Sequence, residues 1–128
     1  MRCTPFLMFQ GEAADAIALY CAAFGEACEV LLDQRSGEGP QQGKVAMARL
    51  RIAGQEIALN DSPPVHDFTF TPSTSLFVDC DSEAQLRELA ETLGAGGKVM
   101  MPLDNYGFSA QFTWIADRFG VSWQLNLP

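Results

Sequence analysis

The chain repeats itself. Ile17, Tyr20, Phe24 and Gly25 recur sixty-nine residues later as Leu86, Leu89, Leu93 and Gly94. Gly54, Ile57, Leu59 and Asn60 recur sixty-six residues later as Gly120, Trp123, Leu125 and Asn126. A helix stripe, a helix stop and a hairpin turn thus return in the same order, the signature of a duplicated structural unit.

Hydropathy periodicity fills in that unit. Residues 4–9 form a short apolar run of strand length, broken by Gln10-Gly11. From residue 12 to 24 the apolar positions fall at helical steps, with Ala13, Ile17, Tyr20 and Phe24 on one stripe and Gly25 as the stop. Residues 28–34 read as a strand, 35–43 as a glycine-rich loop, and 45–52 with 55–60 as a hairpin turning at Ala53-Gly54. Residues 61–72 hold three prolines and the only histidine, His66, and read as a connector between halves. The second half repeats the pattern. A strand runs over 73–79. A helix capped at Asp81 or Ser82 carries the stripe Leu86, Leu89, Ala90 and Leu93, and a strand over 98–103 follows. Residues 112–127 then form a closing hairpin that turns at Arg118-Phe119-Gly120. Alternation in this last pair puts Trp114, Ala116, Val121, Trp123, Leu125 and Leu127 on one parity, expected against the helix with both tryptophans buried. Each half therefore reads strand, helix, strand, strand, strand. The expected class is α+β: two tandem βαβββ modules, about 1–62 and 72–128, in a single domain over 1–128. Together they form a curved mixed sheet with helices on the outside and a shared concave face.

Composition narrows the function classes. With 128 residues and a hydrophobic fraction of 48%, the chain is long enough for a real core. Its net charge of −8 argues against nucleic acid, which needs basic surface, and suits a cationic ligand. No apolar run reaches the roughly 20 residues of a membrane span, and Met1-Arg-Cys-Thr-Pro holds no signal-peptide core, so a cytoplasmic protein is expected. The four cysteines show no C-x-x-C spacing and are read as reduced thiols. Gly94-Ala-Gly-Gly97 follows a helix and precedes a strand, the reverse of a nucleotide cradle.

Several stretches carry a family resemblance across nearly the whole chain. They are Pro5-Phe-Leu-Met-Phe, Ala16-Ile-Ala-Leu-Tyr20 leading to Phe24-Gly25, Ile57-Ala-Leu-Asn-Asp61, Ser73-Thr-Ser-Leu, Met101-Pro102 and Asp117-Arg-Phe-Gly-Val-Ser-Trp-Gln. In order and spacing the sequence resembles the vicinal oxygen chelate superfamily of glyoxalase I, bleomycin-resistance proteins and extradiol dioxygenases. Within it the chain is most similar to the PhnB-like branch, often labelled as a demethylubiquinone methyltransferase domain. The resemblance implies a divalent metal held by His, Glu or Gln from four strands. Carried over residue by residue, those positions fall on Thr4 (or Pro5), Ala58, Ser73 and Gln124. Only Gln124 has a donor suited to a hard cation, so no metal and no cofactor are expected.

The hairpins place the remaining candidates. A two-residue turn at Ala53-Gly54 sets Arg51 opposite Glu56 and Arg49 opposite Ala58, and turns Leu50, Ile57 and Leu59 toward the helix. In the second hairpin, Ser122 is expected opposite Asp117 and Gln124 opposite Ile115. The concave face then gathers Arg49, Arg51, Glu56, Asn60, Gln111, Thr113, Ser122, Gln124 and Asn126, with Ser73 and Ser75 from the neighbouring strand. Arg49 either takes an anionic oxygen in its fork or pairs, like Arg51, with Glu56 at a wet rim. Tyr106 and Phe108 flank Gly107, where they either cover a pocket or simply pack.

The ligand-binding candidates are Arg49, Glu56, Asn60, Ser73, Ser75, Tyr106, Thr113 and Gln124. The expected function is binding of a small molecule between the two modules without metal. The alternative is a metal-dependent lyase, isomerase or dioxygenase of the same superfamily. A homodimer is expected, because superfamily members commonly pair and pairing would protect exposed strand edges.

Overall fold

The computed structural model describes residues 1–128, which divide into two compact units, Met1–Phe68 and Thr69–Pro128. Unit 1 contains strands β1 (Phe6–Phe9), β2 (Cys28–Arg35), β3 (Val45–Ile52) and β4 (Gln55–Asp61), with helix α1 (Ala13–Phe24) between β1 and β2. Unit 2 contains β5 (Ser75–Asp79), α2 (Glu83–Gly94), β6 (Lys98–Asp104), β7 (Gln111–Ala116) and β8 (Ser122–Leu127). The repeat is therefore real at the level of topology. Each unit has its own four-stranded mixed sheet, in the orders β1-β4-β3-β2 and β5-β8-β7-β6, with one parallel pair in each. The division falls inside the stretch 61–72 read as a connector. His66 and Phe68 stay with unit 1: Gln10 donates to the Phe68 carbonyl at 3.2 Å, the His66 amide donates to Gln10 Oε1 at 3.0 Å, and the two rings stack at 4.7 Å.

The predicted helix stripes are buried except at Phe24 and Ala90, which are half-buried. Ala13, Ile17 and Tyr20 of α1 and Leu86, Leu89 and Leu93 of α2 are buried with Leu50, Ile57, Leu59, Trp123 and Leu125 from the strands. The two helices start differently. Ser82 caps α2 locally, accepting from the Gln85 amide at 3.1 Å. Glu12 gives α1 no side-chain cap, and Asp61 at the end of β4 supplies it from across the sheet. Its Oδ1 accepts from the Gly11 and Ala13 amides at 2.8 and 2.9 Å, and its Oδ2 accepts from Val45 at 3.1 Å. One buried carboxylate thus fixes the helix start to the first residue of β3.

In unit 1 the hairpin register is the expected one. Arg51 pairs with Glu56, Arg49 with Ala58 and Leu50 with Ile57. The turn residues Ala53 and Gly54 have φ of 47° and 88°, the two positive values of a type I′ turn.

In unit 2 the register differs by one residue from the expected pairing. Ser122 pairs with Ala116 and Gln124 with Trp114. The cause is Asp117, which leaves the ladder to organise the turn. Its Oδ1 accepts from the Phe119 and Val121 amides, both at 3.0 Å, and its Oδ2 accepts from Trp123 Nε1 at 3.0 Å. Because side chains alternate, this step moves every β7 residue to the other face. Thr113 and Ile115 lie on the helix side with Leu125 and Trp123, whereas Phe112, Trp114 and Ala116 lie with Asn126, Gln124 and Ser122. Trp123 is buried as expected, but Trp114 is only half-buried, on the opposite face. The glycines after α2 are structural: a Cβ at Gly97 would come within 2.0 Å of the Ala116 carbonyl oxygen.

Candidate functional site

On sheet 1 the face away from α1 is charged. Arg49 donates to Glu56 Oε2 at 2.9 Å, and Arg2 lies 3.7 Å from the same oxygen. Arg51 turns instead to Glu29 on β2, at 2.8 Å. Arg49 and Glu56 are half-buried, whereas Arg51 and Glu29 are well exposed. An anion approaching Arg49 must therefore compete with Glu56 for the guanidinium. Asn60 lies two residues beyond Ala58 on the same face of β4, and its Oδ1 is buried with no hydrogen-bond donor from the protein.

On sheet 2 the corresponding face is networked, with Asp79 as its carboxylate. Gln124 Nε2 donates to Ser75 Oγ at 2.7 Å, across the parallel β5–β8 pair. Asn126 Nδ2 donates to Asp79 Oδ1 at 2.8 Å, and its Oδ1 accepts a short bond from Ser109 Oγ. Trp114 Nε1 donates to Ser122 Oγ at 2.8 Å, and Ser122 donates in turn to the Pro72 carbonyl at 3.3 Å. At one end of this face the aromatic side chains cluster. Phe108 meets Phe112 edge-on at 5.0 Å, Tyr106 meets Phe112 edge-on at 6.0 Å, and Phe77 tilts against Phe112 at 6.5 Å. Phe112 is buried beneath them, while Phe77 and Phe108 are 55% and 62% exposed. The Tyr106 hydroxyl is tied down, donating to the Pro102 carbonyl at 2.6 Å.

The candidate residues thus divide. Arg49, Glu56 and Asn60 share the face of sheet 1 away from α1, and Ser75 and Gln124 the corresponding face of sheet 2, with Tyr106 in the aromatic cluster at its end. Two positions need correction. Thr113 is 2% exposed on the helix side of β7, where its hydroxyl donates to the Met101 carbonyl at 2.9 Å. There it lines a groove of about 420 Å³ with Ala90, Glu91 and Gly94 of α2. Ser73 is no strand residue. It sits in a turn closed by the Thr74 amide on the Thr71 carbonyl, with Pro72 at the position that favours such turns, and its hydroxyl is 2.7 Å from that of Thr71. The sequence reading missed Trp114, Ser109, Asp79 and Phe77. The first follows from the register step, the others from pairing partners that alternation alone does not identify.

The positions that the superfamily uses for metal do not fit a divalent cation here. Ala58 is buried and has no donor, Ser73 lies outside the strand, and the Gln124 amide is oriented by Ser75. Nowhere do three or more His, Cys, Asp or Glu side chains gather as a cluster able to hold a metal ion. A hard cation would find at most one neutral amide oxygen among the carried-over positions.

A sequence profile of the 3-demethylubiquinone-9 3-methyltransferase family matches residues 1–126. The PhnB protein from Bacillus cereus is 40% identical, covers all of both chains and superposes with a TM-score of 0.93. YjdN from Escherichia coli K12 is 28% identical over 99% of this chain and 95% of its own length. At the level of fold alone, the fosfomycin resistance protein FosX from Listeria monocytogenes, solved with Mn(II) and sulfate, aligns with a TM-score of 0.66 at 12% identity. That match covers 99% of this chain and 89% of FosX. With the duplicated βαβββ topology and a profile match over nearly its whole length, the chain belongs to the 3-demethylubiquinone-9 3-methyltransferase family, the PhnB-like branch of the glyoxalase-fold superfamily.

Proposed function

We propose that this protein binds a small molecule at a polar sheet face, without the divalent metal on which glyoxalase-fold enzymes commonly rely. The observation that carries this reading is Asn60 Oδ1. A buried acceptor without a donor costs about 1–3 kcal/mol, a cost that a ligand's N–H or O–H would remove once the side chain turns toward it. Arg49 and Glu56 on the same face offer a cation and a carboxylate, and the Ser75–Gln124 pair beside exposed aromatics offers amide and stacking contacts. The chain's acidity favours a ligand carrying positive charge. Assembly as a homodimer belongs to the same reading. A sedimenting mass near 13.9 kDa would exclude it.

The family name denotes methyl transfer, but no residue set here favours it. The β1–α1 connection holds a single glycine, and Asp61 already occupies the first amides of α1. The test is a thermal-shift panel of small amines, amides and carboxylates on wild type, Asn60→Leu, Arg49→Met and Gln124→Ala. Asn60→Leu should leave the ligand-free midpoint unchanged or raised, because it removes an unsatisfied acceptor, yet weaken a bound compound at least tenfold. A compound whose binding ignores all three changes would overturn the placement. One tightly held metal per chain after dialysis against Mn, Fe, Ni and Zn would overturn the metal-free reading.

A further inference from the structure

The geometry points to a redox-sensitive thiol pair, Cys21 and Cys28, that closes into a disulfide joining the end of α1 to the start of β2. Cys21 lies in the last turns of α1, Cys28 is the first residue of β2, and the 3-10 turn Gly25–Ala27 brings them back together. Their sulfurs are 3.4 Å apart. The other two thiols differ: Cys3 is exposed near the amino terminus and Cys80 is buried in unit 2. Cys21 and Cys28 are each half-buried, reachable by a small oxidant yet already facing one another.

With glutathione disulfide as oxidant the step balances as two thiol–disulfide exchanges. A thiolate of the pair attacks glutathione disulfide, forming a mixed disulfide and releasing one glutathione. The second thiolate then attacks the protein sulfur, forming the Cys21–Cys28 bond and releasing the second glutathione. The protein is oxidised by two electrons, one glutathione disulfide becomes two glutathiones, and the two thiol protons end on them. Burial, and the hydrogen bond and charge of Cys21, push Cys28 up to about 12. Cys28 thiolate is therefore scarce at neutral pH, and closure is faster as pH rises.

The test is intact mass and peptide mapping of the full chain and of Cys3→Ser after excess glutathione disulfide at pH 7, 8 and 9. Cleavage after Glu26 separates the two cysteines. The expected result is a loss of about 2 Da, as two thiols lose their hydrogens to form one bond. The fragments on either side of Glu26 should stay linked until reduced, in both proteins, with closure accelerating at each step in pH. The oxidised chain should melt several degrees higher, as expected for a bridge that limits the unfolded state. The inference is overturned if Cys21 and Cys28 both remain alkylatable at pH 9. It is equally overturned if they stop at glutathione adducts, or if the recovered link involves Cys3 or Cys80. Cys21→Ser should leave Cys28 unable to form an internal bond. Should that variant fail to fold, the wild-type map decides alone.

Discussion

Three backbone amides from two segments, Gly11 and Ala13 at the start of α1 and Val45 at the start of β3, donate to the single carboxylate of Asp61. Asp117 does the same work in unit 2 for two turn amides and the Trp123 indole. Both are buried, at 7% and 3% exposure, and each satisfies donors that would otherwise be orphaned. Removing the acceptor leaves the donors buried, which is the expensive direction of hydrogen-bond loss. Asp61→Ala should therefore cost about 3 kcal/mol, read as a lower urea midpoint. Asp61→Asn, which keeps one oxygen, should cost roughly half as much. A loss below about 1 kcal/mol for Asp61→Ala would mean that water replaces the carboxylate. Neither aspartate stands out in the sequence. Each lies at the end of a strand pattern, and its role depends on amides that fold next to it from elsewhere.

The elements themselves were legible from periodicity, because helix stripes and strand alternation report burial directly. The first hairpin was readable to the residue, because Ala53-Gly54 leaves only two residues between strands. The second was not. Its turn spans several residues, and the choice between pairing Ser122 with Asp117 or with Ala116 rests on a side-chain network, not on hydropathy. One step of register then moved Thr113 off the polar face and Trp114 onto it, which is why the candidate site was half legible. The first turn makes a prediction of its own. Ala53 holds φ of 47° with a Cβ, where Asn is better suited. Ala53→Asn should stabilise the protein by about 0.5–1 kcal/mol, measured by urea unfolding. An unchanged or lower midpoint would mean the turn is not under strain.

At the scale of the whole molecule, the two units share one topology while their faces away from the helices differ. Sheet 1 presents paired charges, and sheet 2 presents amides, aromatic rings and the carboxylate of Asp79. The charge balance of 8 basic against 16 acidic residues shapes the response of the fold to pH. Two thiols add to it. Burial raises Cys28 to about 12 and raises Cys80 as well, against an ordinary value of 9.0. In the unfolded chain both would lose their protons near the ordinary value, so above it the unfolded state binds fewer protons than the folded one. Stability from these thiols is thus complete below about pH 9 and is lost as pH rises toward about 12. Growing negative charge destabilises over the same range, but that repulsion is screened by salt, whereas the cost of ionising a half-buried thiol is screened much less. Under reducing conditions, urea midpoints should fall between pH 8.5 and 10.5, and about 0.5 M salt should restore only part of the loss. The unrestored part should shrink in Cys28→Ser, compared by its slope against pH so that any fixed cost of the substitution cancels. Full recovery by salt in the wild type would assign the alkaline loss to net charge alone.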